Sequence, residues 1–227
     1  MKRGLFVTGT DTGVGKTVTC ALLCSAIQSS GGAAGYLKPV QTGDDDDTAT
    51  VRRLAALESA GHADPVYRFP LPIAPSRAAE AAGELIKLET LSAAWHALPD
   101  RRWVVEGAGG LLVPLSRKVT ILDLVKLLEL PLLIVASTRL GTINHTLLTL
   151  AAAHAAGVRV AGVVLCGPPD PGLRETIGAL DDSHIIAEIP QLDPLSPISV
   201  AQSALDLFSP PQLSALFGPP TMEIGGI

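Results

Sequence analysis

The sequence predicts an α/β fold, with a parallel central sheet flanked by helices on both faces. Three observations carry that prediction. Short apolar runs alternate with helix-period patterns along most of the 227 residues, the order that builds strand–helix–strand units. The runs WVV (103–105), LLIV (132–135) and VAGVVL (160–165) are apolar on consecutive residues, as strands covered on both sides must be. The first run leads straight into a glycine-rich turn and a Lys-Thr pair that opens a helix.

The elements are taken in chain order. The first strand is 4–8 (GLFVT), and helix 15–29 begins at the Gly-Lys-Thr step. Strand 34–38 (AGYLK) comes next, then helix 47–60 behind a run of four aspartates, since acidic residues favour a helix N-terminus. The proline-rich segment 65–75 (PVYRFPLPIAP) reads as an irregular connection. Helix 88–98, strand 102–106 (RWVVE), helix 120–129, strand 131–136 (PLLIVA), helix 142–156, strand 159–165 (RVAGVVL), strand 184–188 (HIIAE) and helix 199–207 complete the pattern. Residues 209–227, with four prolines and a GGI end, read as a loosely held tail. No repeat or long linker divides the chain, so 1–227 is expected to form one domain.

Composition narrows the function. Hydrophobic residues make up 47% and charged residues 17%, as in a globular chain. A net charge of -5 and a pI near 5.5 argue against a nucleic-acid surface. The start, MKRGLFVTGT, lacks the apolar region of a signal peptide, and LPLLIVAS (130–137) is too short to span a bilayer. The expectation is a cytoplasmic protein without a nucleic-acid or membrane partner. Cys20, Cys24 and Cys166 are expected as free thiols. Cys20 and Cys24 share a helix face, but no further Cys or His stands at a metal-ligand spacing, so they read as core residues.

Ligands of parallel sheets gather at the carboxyl ends of the strands. After the first strand stands GTDTGVGKT (9–17), a phosphate loop with one residue more than G-x-x-x-x-G-K-[ST]. Its glycines let several N–H groups face one anion, and the helix after it adds its positive end. Lys16 would reach the outer phosphates and the Thr17 hydroxyl would ligate Mg²⁺. After the second strand, KPVQTG (38–43) supplies Lys38, a second cation suited to an anionic phosphoryl acceptor, and the hydroxyl of Thr42. Asp44 to Asp47 offer a solvated loop, a helix cap or a Mg²⁺ ligand, and the residue types leave that choice open. After the third, EGAGG (106–110) ends an apolar strand in an acid, the layout of a second metal-binding element. Gly107, Gly109 and Gly110 allow close approach to the backbone. After strand 131–136, the helix start near Thr142 offers free N–H groups to a carboxylate, with Asn144 as a side-chain donor and self-capping by Thr142 as the plainer alternative. His145 has no triad partner nearby and reads as an ordinary packed or surface histidine.

Together VTGTDTGVGKT, KPVQTG, VVEGAGG, LGTINH and AEIP, in this order and spacing from residue 7 to about 190, resemble the dethiobiotin synthetase family of biotin biosynthesis. The longer loop spacing is that family's own variant. The resemblance implies a P-loop NTPase-like fold and an ATP-dependent cyclo-ligase. Its substrates would be 7,8-diaminononanoate, CO₂ or bicarbonate, and ATP. One amine would become a carbamate, ATP would phosphorylate it, and the second amine would close the cyclic urea.

Carried over motif by motif, the resemblance makes Lys38, Lys16 and Thr12 catalytic. It places Thr17, Asp47 and Glu106 on Mg²⁺. The nucleotide would lie against Gly13, Val14, Gly15, Lys16, Thr17, Glu106, Gly107, Ala108, Gly109, Cys166, Gly167, Pro190, Gln191 and Leu192. The substrate would meet Thr42, Gly109 and Gly110, and its carboxylate the stretch Leu140, Gly141, Thr142, Ile143 and Asn144, contributed by the other subunit of a homodimer. Two positions depart from the family: many members have an acidic residue at Gly13, and an adenine-reading Asn-Asp pair at Cys166 and Gly167. Two other readings compete. A nucleotide-switch ATPase of the partitioning or septum-positioning type has an extra lysine early in its loop, absent from GTDTG. A cobalamin-pathway amidoligase brings a glutaminase domain with a catalytic Cys, and no such domain or Cys–His pair stands out here.

Overall fold

The computed structural model describes residues 2–217. In chain order the elements are β1 (Arg3–Gly9), α1 (Lys16–Ser29), β2 (Ala34–Leu37), β3 (Val40–Thr42), α2 (Asp47–Leu54), β4 (His62–Ala63), β5 (Tyr67–Phe69), α3 (Pro75–Ala81) and α4 (Leu88–Ala97). They continue with β6 (Arg102–Gly110), α5 (Ile121–Leu128), β7 (Leu132–Ser137), α6 (Thr142–Ala155), β8 (Val160–Cys166), α7 (Pro171–Leu180), β9 (Ile185–Ile189), α8 (Pro197–Leu207) and α9 (Pro210–Leu216).

Seven strands form one sheet in the order β4-β2-β6-β1-β7-β8-β9, every neighbouring pair parallel. β1 lies centrally between β6 and β7, so the chain reverses its winding direction beside the phosphate loop, where such sheets bind ligands. Period-two alternation sends Leu5, Val7 and Val104 to one face and Phe6, Trp103 and Val105 to the other. The first core is closed by α1, α2, α8 and α9, the second by α3 to α7. Cys20 and Cys24 are fully buried in the first, as core residues should be, and all three cysteines are free. Among the described residues no helix is long and apolar enough to cross a membrane.

Several expectations are corrected. The predicted helix 47–60 stops at Leu54. Ala56 turns left-handed (φ 50°), and Ala56 N–H and Leu57 N–H bond back to the Arg53 and Arg52 carbonyls, so the chain bends and buries Leu57. Segment 65–75 is not irregular throughout. Tyr67–Phe69 pairs in parallel with Val40–Thr42 as a separate small sheet, and Pro75 opens α3, where its missing N–H costs nothing. Helix α7 is a further element, announced by Asp170, whose side chain caps Gly172 N–H, and Pro171 at the first helical position. The tail is not loose from 209 onward. Ser209 and Gln212 cap α9 reciprocally, and Leu213 and Leu216 are buried; residues 218–227 lie outside the described residues.

Candidate active site

Five side chains converge beside the carboxyl ends of β1 and β2 and the middle of β6. Glu106 does not end its strand as expected, since β6 runs on through EGAGG to Gly110. It is 1% exposed, a burial that a carboxylate tolerates only with partners. It has three. Lys38 Nζ donates to its Oε1 at 2.9 Å, Thr17 Oγ1 to the same oxygen at 3.1 Å, and Tyr36 OH to Oε2 at 2.8 Å. Lys38 Nζ also sits 2.8 Å from Asp47 Oδ2, and Asp47 Oδ1 lies 3.0 Å from the same Thr17 hydroxyl, whose single proton serves one of the two carboxylates at a time.

The strands explain the meeting. β2 pairs with β6 so that Tyr36 lies opposite Val104 and Leu37 opposite Val105, which brings the next residue, Lys38, level with Glu106. The aspartate run divides by geometry. Asp46 caps α2 by accepting from Ala49 N–H at 2.8 Å and pairs with Arg68, whereas Asp47, one residue on, turns into the cluster. Burial alone would raise the Asp47 carboxyl, but the charge and hydrogen bond of Lys38 and the hydroxyl of Thr17 outweigh it and hold it below its ordinary range. Burial likewise works against the charged form of Lys38, yet Glu106 and Asp47 lift it to about 12. Lys38 is therefore a fixed cation.

Lys16, buried in the first turn of α1, donates to the Asp11 carbonyl at 2.9 Å. Burial first, and then the neighbouring positive charge of Lys38, lower its pKa. Two cations that feel each other's charge favour an anion between them. Gly9 makes the space, since a Cβ there would stand 2.9 Å from Lys16 Nζ. Gly15 needs its lack of a side chain twice over. Its φ is 104°, and a Cβ would meet Cys166 Cβ at 2.9 Å and Sγ at 2.8 Å.

A cavity of about 420 Å³ adjoins the loop. Gly13, Val14 and Gly15 form one wall, Cys166 and Gly167 another, and Pro190, Gln191 and Leu192 a third.

A family model described as an AAA domain matches residues 3–199. Over 205 residues the chain is 42% identical to an ATP-dependent dethiobiotin synthetase of Novosphingobium aromaticivorans, covering 89% of this chain and 95% of that one. The chain belongs to the dethiobiotin synthetase family. A Nitrobacter hamburgensis synthetase is 38% identical over 211 residues, covering 92% and 96% of the two chains. A biotin biosynthesis bifunctional protein of Bordetella avium is 44% identical over 91% of this chain, which spans 42% of that longer relative. The synthetase fold is shared at low identity. A ParA family ATPase from Chlorobium tepidum superposes with a TM-score of 0.54 at 17% identity, covering 95% and 96% of the chains. The septum site-determining protein MinD of Pyrococcus horikoshii gives 0.55 at 14%, covering 96% and 93%.

In this synthetase-family chain, Thr17, Lys38, Asp47 and Glu106 form one cluster, Lys16 feels its charges while bonding the Asp11 carbonyl, and the loop joins Cys166, Gly167 and residues 190–192 around one cavity. Thr12 is exposed at the loop tip, its N–H bonded to Asp11 Oδ1. Thr42 is half-buried in β3. Ala108 is buried near the end of β6, while Gly110 sits so close to β1 that a Cβ would lie 3.3 Å from the Gly9 carbonyl oxygen. Leu140, Gly141 and Asn144 are exposed, and Ile143 is half-buried. Among the described residues no hydrogen bond ties this stretch to the cluster, and the buried Thr142 hydroxyl has no partner.

Sequence reasoning missed Tyr36, whose hydroxyl completes the Glu106 environment, and Arg139 and Leu195, which line the cavity. Tyr36 lies two residues before Lys38, on the same side of one strand; that parity is the available signal.

Proposed function

We propose that this chain is an ATP-dependent dethiobiotin synthetase, converting 7,8-diaminononanoate and CO₂ to the cyclic urea with release of ADP and phosphate. The observation that carries the reading is the cluster of buried Lys38, Thr17 and two carboxylates beside the ends of β1 and β2, with the buried Lys16 within reach of its charges.

Three hard oxygens lie together: Asp47 Oδ1 stands 3.0 Å and Glu106 Oε1 3.1 Å from Thr17 Oγ1. That donor set fits Mg²⁺, so Thr17, Asp47 and Glu106 would hold it. When bound, the ion neutralises phosphate charge. The loop amides and Lys16 would bind the outer phosphates of ATP. The cavity walled by Cys166, Gly167 and residues 190–192 would receive the base.

The chemistry then asks positioning and charge of the protein, and no covalent nucleophile. One amine of the diamine adds to CO₂ and loses a proton, leaving a carbamate anion. A carbamate oxygen takes the terminal phosphoryl group of ATP, and ADP departs. The second amine attacks the carbamoyl carbon, the C–O bond to phosphate breaks, and the ring closes. Lys38, fixed as a cation, faces the acceptor throughout and, with Lys16, offsets charge on the transferring group. Thr12, Thr42, Gly109 and Gly110 would contact the diamine or its carbamate.

Leu140, Gly141 and Asn144 are exposed, and among the described residues no hydrogen bond ties 140–144 to the cluster of its own chain, which supports a homodimer in which one subunit binds the carboxylate tail for the other. Three free cysteines suit a cytoplasmic setting. The test is mass detection of dethiobiotin from the diamine, bicarbonate, Mg²⁺ and ATP. Nucleotide hydrolysis without that product would overturn the reading.

A further inference from the structure

Tyr36 is fully buried in the core beneath α1, among Leu5, Val7, Cys20, Cys24 and Val104. A phenylalanine would fill that space, so what the tyrosine adds is a hydroxyl, and a buried hydroxyl requires a partner. Its partner is Glu106 Oε2, at 2.8 Å. The other oxygen, Oε1, receives both Thr17 and Lys38. The carboxylate is thus divided: one oxygen is anchored from the core and the other faces the reaction side. Strand parity makes this possible, because Tyr36 and Lys38 leave β2 on the same face while Leu37 enters the opposite core.

We propose that Tyr36 is a positioning residue: its hydroxyl anchors Glu106 Oε2 and so fixes the orientation in which Oε1 meets Thr17, Lys38 and the metal. Without it, Oε2 is left buried and unpaired, and the carboxylate is free to rotate toward Lys38 with either oxygen. Partners that orient metal-ligating groups commonly govern metal affinity, whereas packing residues do not. The inference rests on the reading of Glu106 as a Mg²⁺-site carboxylate.

The experiment compares the full chain with Tyr36→Phe, using calorimetric ADP titrations with and without Mg²⁺, and steady-state kinetics. Metal-free ADP affinity should be unchanged. The gain in affinity that Mg²⁺ brings should fall about tenfold, the lower end of the range for such partners. The value of kcat should fall with it, and KM for the diamine should hold. In a Glu106→Gln background, adding Tyr36→Phe should change nothing further, because the tyrosine acts through that carboxylate. An unchanged Mg²⁺ response in Tyr36→Phe, an equal loss of metal-free and metal-bound affinity, or additive losses in the double variant would each overturn the proposal. A wild-type chain whose ADP affinity ignores Mg²⁺ would instead remove the metal-site reading, and this inference with it.

Discussion

Lys38 Nζ lies 2.9 Å from Glu106 Oε1, with the two side chains 5% and 1% exposed. Neither charge has enough water to stand alone, so each is the condition for burying the other. Asp47 and Thr17 close the arrangement on its outer side. The consequence for activity depends on which member is removed.

Replacing Lys38 by alanine should reduce turnover by ~10²–10³, the usual cost of losing a donor aimed at developing charge. Nucleotide affinity should stay close to that of the wild type, because Lys16 and the loop amides do not need Lys38. Product formation and ADP titration separate the two effects. Near-normal turnover, or complete loss of nucleotide binding, would remove Lys38 from the acceptor side.

The same lysine makes an alkaline prediction. Its pKa is lifted from 10.5 to about 12. A value raised in the folded state means full stabilisation below 10.5, lost as the pH climbs through about 12. The rise corresponds to about 2 kcal/mol. Urea unfolding of wild type and Lys38→Met from about pH 9 upward should show the wild type losing stability more steeply across that window. Parallel curves would mean that Glu106 and Asp47 do not hold the ammonium.

Base selectivity should be weak. Gly167 N–H is already given to the Ile189 carbonyl, the Cys166 carbonyl already accepts Thr138 N–H, and Pro168 has no N–H. Burial holds the Cys166 thiol neutral, with a pKa of about 11, and a thiol bonds feebly. Few polar groups remain to be left unpaired by a wrong base. Competition among ATP, GTP, CTP and UTP should find affinities within about tenfold, or about 1.4 kcal/mol. A thousandfold preference for ATP would point to a reader such as Gln191 or Arg139.

The proposed shared site predicts complementation. Asn144→Ala should raise KM for the diamine more than KM for ATP. Mixing Lys38→Ala with Asn144→Ala chains should restore part of the lost activity, since one hybrid site is then whole. A strictly monomeric active species in sedimentation would contradict the arrangement.

By itself the sequence determined the alternation of strands and helices, the phosphate loop with Lys16 and Thr17, and the apolar runs that deliver Lys38 and Glu106, though β6 itself runs on to Gly110. These signals are local: a period, a glycine spacing, an acid closing an apolar run. Only the tertiary structure decided that Asp46 caps a helix while its neighbour Asp47 enters the site, because one residue of helical rotation separates a solvent face from a buried one. It also decided that helix α2 ends at a left-handed Ala56, where Leu57 turns into the core against the preference of alanine. Tyr36 is the clearest case. Its parity with Lys38, two residues on, is the one local hint that a tyrosine on an apolar strand belongs to a polar site. Its role arises from the parallel register of β2 on β6, which sets residues seventy positions apart at 2.8 Å. Register is a property of two strands at once, and a single strand's sequence carries only its own half.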